Sequence, residues 1–347
     1  MEKLPLGERP EPRAVGRGSA EAKEAAQREI VENFGKDQFA QFSEKQIAEL
    51  KTEEREKTDE EKEGIKIANE LTNEILRELG LREFDVPLEN IHFISAKAWE
   101  HASNGDTEMF AAPRRQAIFV KADYPQRARI NKALSLFHEM IHAKGHISIE
   151  VDSDTDKDFY RSGLMTHATY QKSSRSGYAN WFDGLNEAVV TQMEQDYAER
   201  VLNSNPFLRD QLEYMNSEEA QKLKADYAKK HSRDPSEIEW IGRDGDEIEA
   251  YLQGYRKQRR ILNYVVDQIY ADGGFESRDD VMKLFFAAHF KDSLLPIGRL
   301  VEKSFGKGAF EFLGTMEREE NSASPGRVLD FLMKRRREMV GKKEVNK

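Results

Sequence analysis

Apolar positions along the chain change period several times, and each change marks an element. From Asp59, Ile65, Ala68, Leu71, Ile75, Leu76 and Leu79 recur at helical spacing until Gly80 ends the run. Short apolar stretches at 91–94 and 116–120, with an Asn104-Gly105-Asp106 turn between them, predict two strands. A second helix is predicted over 126–144, with Gly145 just past its end. Segments 164–170 and 178–182, flanking Ser173-Ser174-Arg175-Ser176-Gly177, predict a hairpin. Leu185, Val189, Met193, Tyr197 and Val201 then fall on every fourth position of a further helix, a stripe that reads as core. The remainder predicts helices at about 247–271, 279–290, 294–305 and 325–339, with Ser277 capping an acidic first turn.

Between these elements the pattern weakens. Residues 1–25, rich in Pro, Gly, Arg and Glu, predict a disordered lead-in, and 51–63 a solvated charged helix or linker. Residues 203–246 predict an inserted helical lobe or a mobile connection. This division gives three regions: a charged N-terminal segment (1–57), a core (58–202) and a helical C-terminal region (203–347). The predicted class is α+β, a small sheet packed on the 126–144 helix and followed by a mostly helical half.

Composition narrows the chemistry. The chain has 347 residues, 34% charged and 38% hydrophobic, with a net charge of −10. That balance argues against a general nucleic-acid binder. The basic C-terminal run Lys334-Arg335-Arg336-Arg337, with Lys342 and Lys343, reads as a solvated helix end favoured by the helix dipole. No run has the length of a signal peptide or a membrane span, so a cytoplasmic protein without membrane contact is expected. There is no cysteine, which excludes disulfides and thiolate sites; a metal must be held by His and carboxylate.

The predicted 126–144 helix contains His138-Glu139-Met140-Ile141-His142. Histidines at i and i+4 face the same way one turn apart and can share a zinc ion, with Glu139 placed to touch a water rather than the metal. A hydrolytic zinc usually has three protein ligands and an open position. His146 follows too soon after Gly145 to fit the longer three-histidine spacing. Glu187, in Asn186-Glu187-Ala188 at the start of the next strong helix, is the other candidate. Asp152-Ser153-Asp154-Thr155-Asp156 lacks the glycine and distal Glu of an EF-hand and reads as solvated loop.

His-Glu-x-x-His followed by Asn-Glu-Ala on a second helix resembles the gluzincin, thermolysin-like zinc metallopeptidases, over roughly residues 86–200. The resemblance implies a zincin-like fold, Zn2+ held by His138, His142 and Glu187, and a peptide or protein substrate. It also implies cleavage by a metal-activated water with Glu139 as general base. Some gluzincins carry an Asp four residues after the ligand Glu to orient a metal-bound His; Thr191 stands there in this chain. The family's oxyanion donor, a Tyr or His beyond the Glu helix, maps to Tyr255, with Tyr251, His231 and His289 as alternatives. Tyr251 and Tyr255 are expected at i and i+4 of one helix. The strand at 116–120 would be the edge on which a substrate pairs, and His167 could line the cleft. The competing class is a non-catalytic helical interaction protein with a structural or vestigial metal site.

Overall fold

The computed structural model describes residues 12–33, 38–39, 42–102, 107–122, 129–151, 159–172, 175–202, 205–244, 247–252, 254–319 and 323–345. The N-terminal region is already part of the fold. β1 (Arg13–Val15) pairs in parallel with a later strand, Arg13 opposite Ser148 and Val15 opposite Glu150. α1 (Ala20–Asn33) buries Ala26 and Ile30 against Ile147, Ile149 and Val151. The expected disordered lead-in is thus corrected over residues 12–25. Its composition hid a strand whose hydrogen-bonding partner lies far along the chain.

α2 (Glu44–Thr52) is opened by a capping box in which Ser43 and Gln46 satisfy each other's backbone N–H groups. The charged stretch after it is not a solvated linker. β2 (Glu54–Arg55) pairs with Phe93 and Ile94, and Arg55 donates to both oxygens of the mostly buried Glu61 at 2.8 and 2.6 Å. α3 (Asp59–Glu78) starts at a Thr58–Glu61 capping box, and its chain turns at Gly80, whose φ of +65° suits glycine.

β3 (Ile91–Ile94), α4 (Ala96–Ala102), β4 (Met109–Ala112) and β5 (Ala117–Lys121) complete a four-stranded sheet of order β2-β3-β5-β4. β3 and β5 are parallel, and β4 is antiparallel to β5. The strand expected to form an edge, β5, is therefore internal. Its continuous apolar run Ala117-Ile118-Phe119-Val120, buried throughout, is what an interior strand needs on both faces. β4 is the edge.

α5 (Arg129–Lys144) packs on α3, where Gly64 leaves room for Leu136. β6 (Ile147–Glu150), β7 (Phe159–Ser162), β8 (Met165–Lys172) and β9 (Arg175–Trp181) form, with β1, a five-stranded sheet of order β1-β6-β7-β8-β9. The expected hairpin is present, with longer strands than the apolar pattern indicated. α6 (Asp183–Leu202) buries Leu185, Val189, Met193 and Tyr197, as the stripe requires. Thr191, Gln192 and Glu194 on the same helix are buried too, so α6 is enclosed on its polar side as well.

α7 (Arg209–Met215) and α8 (Glu218–Lys230) precede a hairpin of β10 (Ile238–Asp244) and β11 (Glu247–Leu252), and these share a small core around Met215, Leu223 and Ile241. α9 (Arg256–Ala271) begins after this hairpin, so the single helix expected from 247 is corrected to a strand followed by a helix. α10 (Arg278–Phe290), α11 (Leu294–Phe305), α12 (Ala309–Gly314) and α13 (Ser324–Val345) complete a helical C-terminal half. Ser277 caps α10 in a capping box with Asp280. The basic run on α13 is not wholly solvated: Arg336 bonds Gln268, Asp272 and the Ser304 carbonyl oxygen, and Arg335 the Lys307 carbonyl oxygen. The chain is a mixed α+β fold, and no helix among the described residues is long and apolar enough to cross a membrane.

Candidate metal centre

α5 sets His138 and His142 one turn apart with their Nε2 atoms 3.2 Å from each other. α6 crosses beside α5 and brings Glu187 Oε2 to 3.4 Å from each of those nitrogens. Three ligand atoms of this kind around tetrahedral zinc, at bond lengths of ~2.0–2.1 Å, stand about 3.3–3.4 Å from one another. The side-chain triangle of 3.2, 3.4 and 3.4 Å therefore has the size of one face of a zinc tetrahedron. Among the described residues this is the one group of His, Cys, Asp or Glu that converges in this way. Its donor set, two imidazoles and one carboxylate, suits a borderline-soft divalent cation.

The charges of the three groups are mutually dependent. Burial opposes ionisation of Glu187, but the His142 charge and hydrogen bonds from both histidines hold its carboxyl well below the usual range. Burial likewise opposes a proton on His138. Hydrogen bonds to Glu187 and Glu194, and the charges of Glu194 and Glu139, nevertheless raise it well above the ordinary histidine value.

Each histidine is held from behind. His138 Nδ1 lies 3.2 Å from Glu194 Oε2. An Nδ1–H donated to that carboxylate leaves the Nε2 lone pair free for a metal and fixes the ring plane. The sequence departure at Thr191 is thus made good one turn further along α6, where Glu194 takes the orienting position. The 187-to-194 spacing, two helical turns, puts both carboxylates on one helix face, a signal present in the sequence although position 191 holds no Asp. His142 Nδ1 lies 3.4 Å from the Asn186 side-chain amide, which also accepts the Leu164 backbone N–H at 2.9 Å.

Behind Asn186 sits His289, fully buried, with ring nitrogens 3.1 Å from Asn186 Oδ1 and from the Ile141 carbonyl oxygen. Burial, aided by the nearby His142 charge, pushes its pKa down to about 3, so it is neutral. His289 therefore packs behind the metal site and does not face the cleft as an oxyanion donor. Gly163 makes its seat: a Cβ there would come within 2.6 Å of both His289 and Asn186.

Comparison with protein-family models, with curated protein sequences and with solved structures finds no match to this chain.

The triangle opens onto a cavity of about 1000 Å³ bounded by β4 (Met109, Phe110, Ala111), the start of α6, Tyr255 and Arg318. Glu139 lines it beside the two histidines. Tyr255 stacks on His138, ring centroids 6.2 Å apart and planes 15° from parallel. The Glu187 charge first, and then burial, raise the Tyr255 pKa, so its hydroxyl stays protonated. Its backbone is left-handed (φ +54°, ψ +35°), a conformation that costs a tyrosine roughly 1–2 kcal/mol. Such strain concentrates where a side chain must be aimed.

Tyr251 is on β11, not one turn before Tyr255 on a helix, and its hydroxyl lies 3.1 Å from Ser135 Oγ. His231 is exposed at the end of α8, stacked on Tyr227, and does not line the cavity. His146 and His167 are not among the lining residues either, and Asp152–Asp156 lies outside the described residues. Asp183 and Arg318 went unnoticed in the sequence. Burial, reinforced by Glu187, raises Asp183 to about 6, and the Arg318 guanidinium stands 3.9 Å away. A lone Asp and a loop Arg carry no motif by which to find them.

Proposed function

We propose that this chain is a zinc-dependent metallopeptidase of gluzincin type, with a zincin-like arrangement of sheet and motif helix. The observation that carries the reading is the ligand triangle of His138, His142 and Glu187, tetrahedral in size and open on its fourth side to a cavity that Glu139 lines. A structural zinc site is closed by four protein ligands, so the open side favours catalysis over the structural-metal alternative.

A zinc ion held there supplies Lewis acidity and lowers the pKa of water to ~7. Glu139 then takes a proton from the attacking water and passes it to the leaving nitrogen. Tyr255, kept protonated by the neighbouring Glu187, donates a hydrogen bond from its hydroxyl to the oxygen on which negative charge develops. Glu194 and Asn186 hold the two imidazoles in register throughout. A peptide in extended form lies along β4, the edge of the four-stranded sheet and one wall of the cavity.

The test combines metal analysis with hydrolysis of an unstructured peptide library by the full chain. We expect one zinc per chain, loss of zinc from Glu187→Ala, and cleavage abolished by a chelator. Glu139→Gln should retain zinc and lose about 100- to 10,000-fold in rate, the range for a general base. Unchanged zinc affinity in Glu187→Ala, or cleavage indifferent to Glu139→Gln, would overturn the assignment.

A further inference from the structure

A second cavity, of about 190 Å³, adjoins the first, with Met109, His138, Glu139, Gly254 and Tyr255 lining both. Its composition is one-sided. Glu108, Glu139, Glu194 and Glu239 line it beside His138, and among the described residues no Lys or Arg does. Arg259, whose charge acts on Glu239 and Glu194, lies outside the lining. Met109 and Leu252 give the same cavity an apolar wall.

One further group points into the question of what belongs there. Thr191 lines the cavity, is only 2% exposed, and its hydroxyl oxygen has no hydrogen-bond partner among the described residues. A buried hydroxyl left unsatisfied costs free energy that a ligand donor recovers. With Glu194 holding His138 from the next turn, the side chain at 191 is free for that use.

We propose that this cavity receives a lysine or arginine side chain of the peptide substrate, so that cleavage is directed to a bond beside a basic residue. The inference rests on the metallopeptidase reading for its peptide, but on this cavity alone for the charge. An aliphatic stem lies against Met109 and Leu252 while the cationic end meets carboxylates and the Thr191 hydroxyl, the division that long basic side chains favour. A second metal ion is the competing cation. It needs its ligands close around one point, four for zinc and six or more oxygens for calcium or magnesium. Among the described residues, no group of three acidic or His side chains converges on a point except His138, His142 and Glu187, so the carboxylates of this cavity are spread too widely for an ion and suit an extended organic cation.

The experiment uses zinc-loaded full chain carrying Glu139→Gln, which slows turnover below the time of a binding measurement, and two labelled octapeptides that differ only in lysine or norleucine at one central position. Affinities are read by fluorescence anisotropy at low and high salt. The lysine peptide should bind about tenfold more tightly or better, with an advantage that shrinks in salt. Adding Glu108→Gln and Glu239→Gln should reduce the advantage to below threefold. Equal affinities, or no binding of either peptide, overturn the proposal. If the added substitutions unfold the chain, the lysine–norleucine ratio in the Glu139→Gln background decides alone. Hydrolysis of both peptides by the unsubstituted chain is followed separately. Selective binding without hydrolysis leaves the basic pocket standing and removes the peptidase reading; hydrolysis without selectivity does the reverse.

Discussion

His138 and His142 sit one turn apart on the same helix, yet they are held by opposite electrostatics. Behind His138 stands the carboxylate of Glu194, which with Glu187 and Glu139 favours a proton on the ring, and beside it is a cavity that further carboxylates line. Behind His142 stand a neutral amide and a buried histidine that burial keeps unprotonated. The first side sets the charge of a candidate ligand and faces a cavity. The second is a packed lock: the amide of Asn186 is clamped by Leu164 and His289, and His289 by Gly163, Gly145 and the Ile141 carbonyl. Charge does the work on one side and shape on the other, and substitutions on the two sides should fail differently.

The largest expected difference is in acid. His289 titrates near 3 in the folded chain and at about 6.5 unfolded, so between those values the unfolded state binds more protons here. Stability therefore falls as pH drops below ~6.5, by about 3 kcal/mol at pH 4.5 and about 5 kcal/mol once pH is below 3. His138 runs the other way. Its raised value stabilises the metal-free fold fully below the ordinary histidine pKa, and that contribution is lost as pH rises through the folded value. Urea midpoints of metal-free protein at pH 7 and 4.5 test the lock: His289→Gln should lose less on acidification than the unsubstituted chain. Identical losses would mean that His289 is not a neutral buried group.

Shape can be broken without touching a titrating group. Gly163→Val puts a side chain on a residue with φ of +59° and within 2.6 Å of His289 and Asn186. We expect a loss of about 2–4 kcal/mol, since both strain and overlap contribute. Gly80→Ala is the control. Its φ is +65° and a Cβ there meets nothing within 4 Å, so about 1 kcal/mol from backbone strain alone is expected. Similar losses in the two variants would show that the packing against His289 has no energetic weight.

On the charged side the main effect should fall on metal affinity. Glu194→Ala removes the partner of His138 Nδ1 and should weaken zinc binding by about 10- to 100-fold, measured by competition with a chromophoric chelator. An unchanged affinity would mean that the helix alone orients that ring.

The candidate ligand set was legible in the sequence, while the lock behind it and the facing wall of the cavity were not. α5 and the stripe of α6 carry periodic apolar residues, and the ligands ride on those helices at fixed offsets, so a local pattern located all three. The facing wall comes from elements whose partners are distant: β4 is an edge only because β5 pairs with β3, and β1 is a strand only because β6 returns beside it. The misassigned helix at 247 has a sharper cause. Ile248, Ala250 and Leu252 alternate toward the core of the small lobe, which is the period of a strand. The four-residue spacing of Tyr251 and Tyr255, which suggested a helix, instead spans the end of β11 and the left-handed turn into α9.

That turn supplies the last and smallest expected effect. Tyr255 is held left-handed at its backbone while its ring lies on His138 and its hydroxyl faces the Glu187 charge. Packing and chemistry can be separated here because phenylalanine keeps the ring. Tyr255→Phe should retain zinc and the denaturation midpoint, since the stacked ring and the turn are unaltered. Its kcat should fall on the order of tenfold, less than the ~100-fold typical of a sole oxyanion donor, because a Lewis acid shares the developing charge. KM should change little, because the hydroxyl is directed at charge that appears only in the transition state. If kcat holds while stability drops, the tyrosine is a packing residue of the charged side. Its strained backbone would then be serving the entry of α9, not the reacting carbonyl.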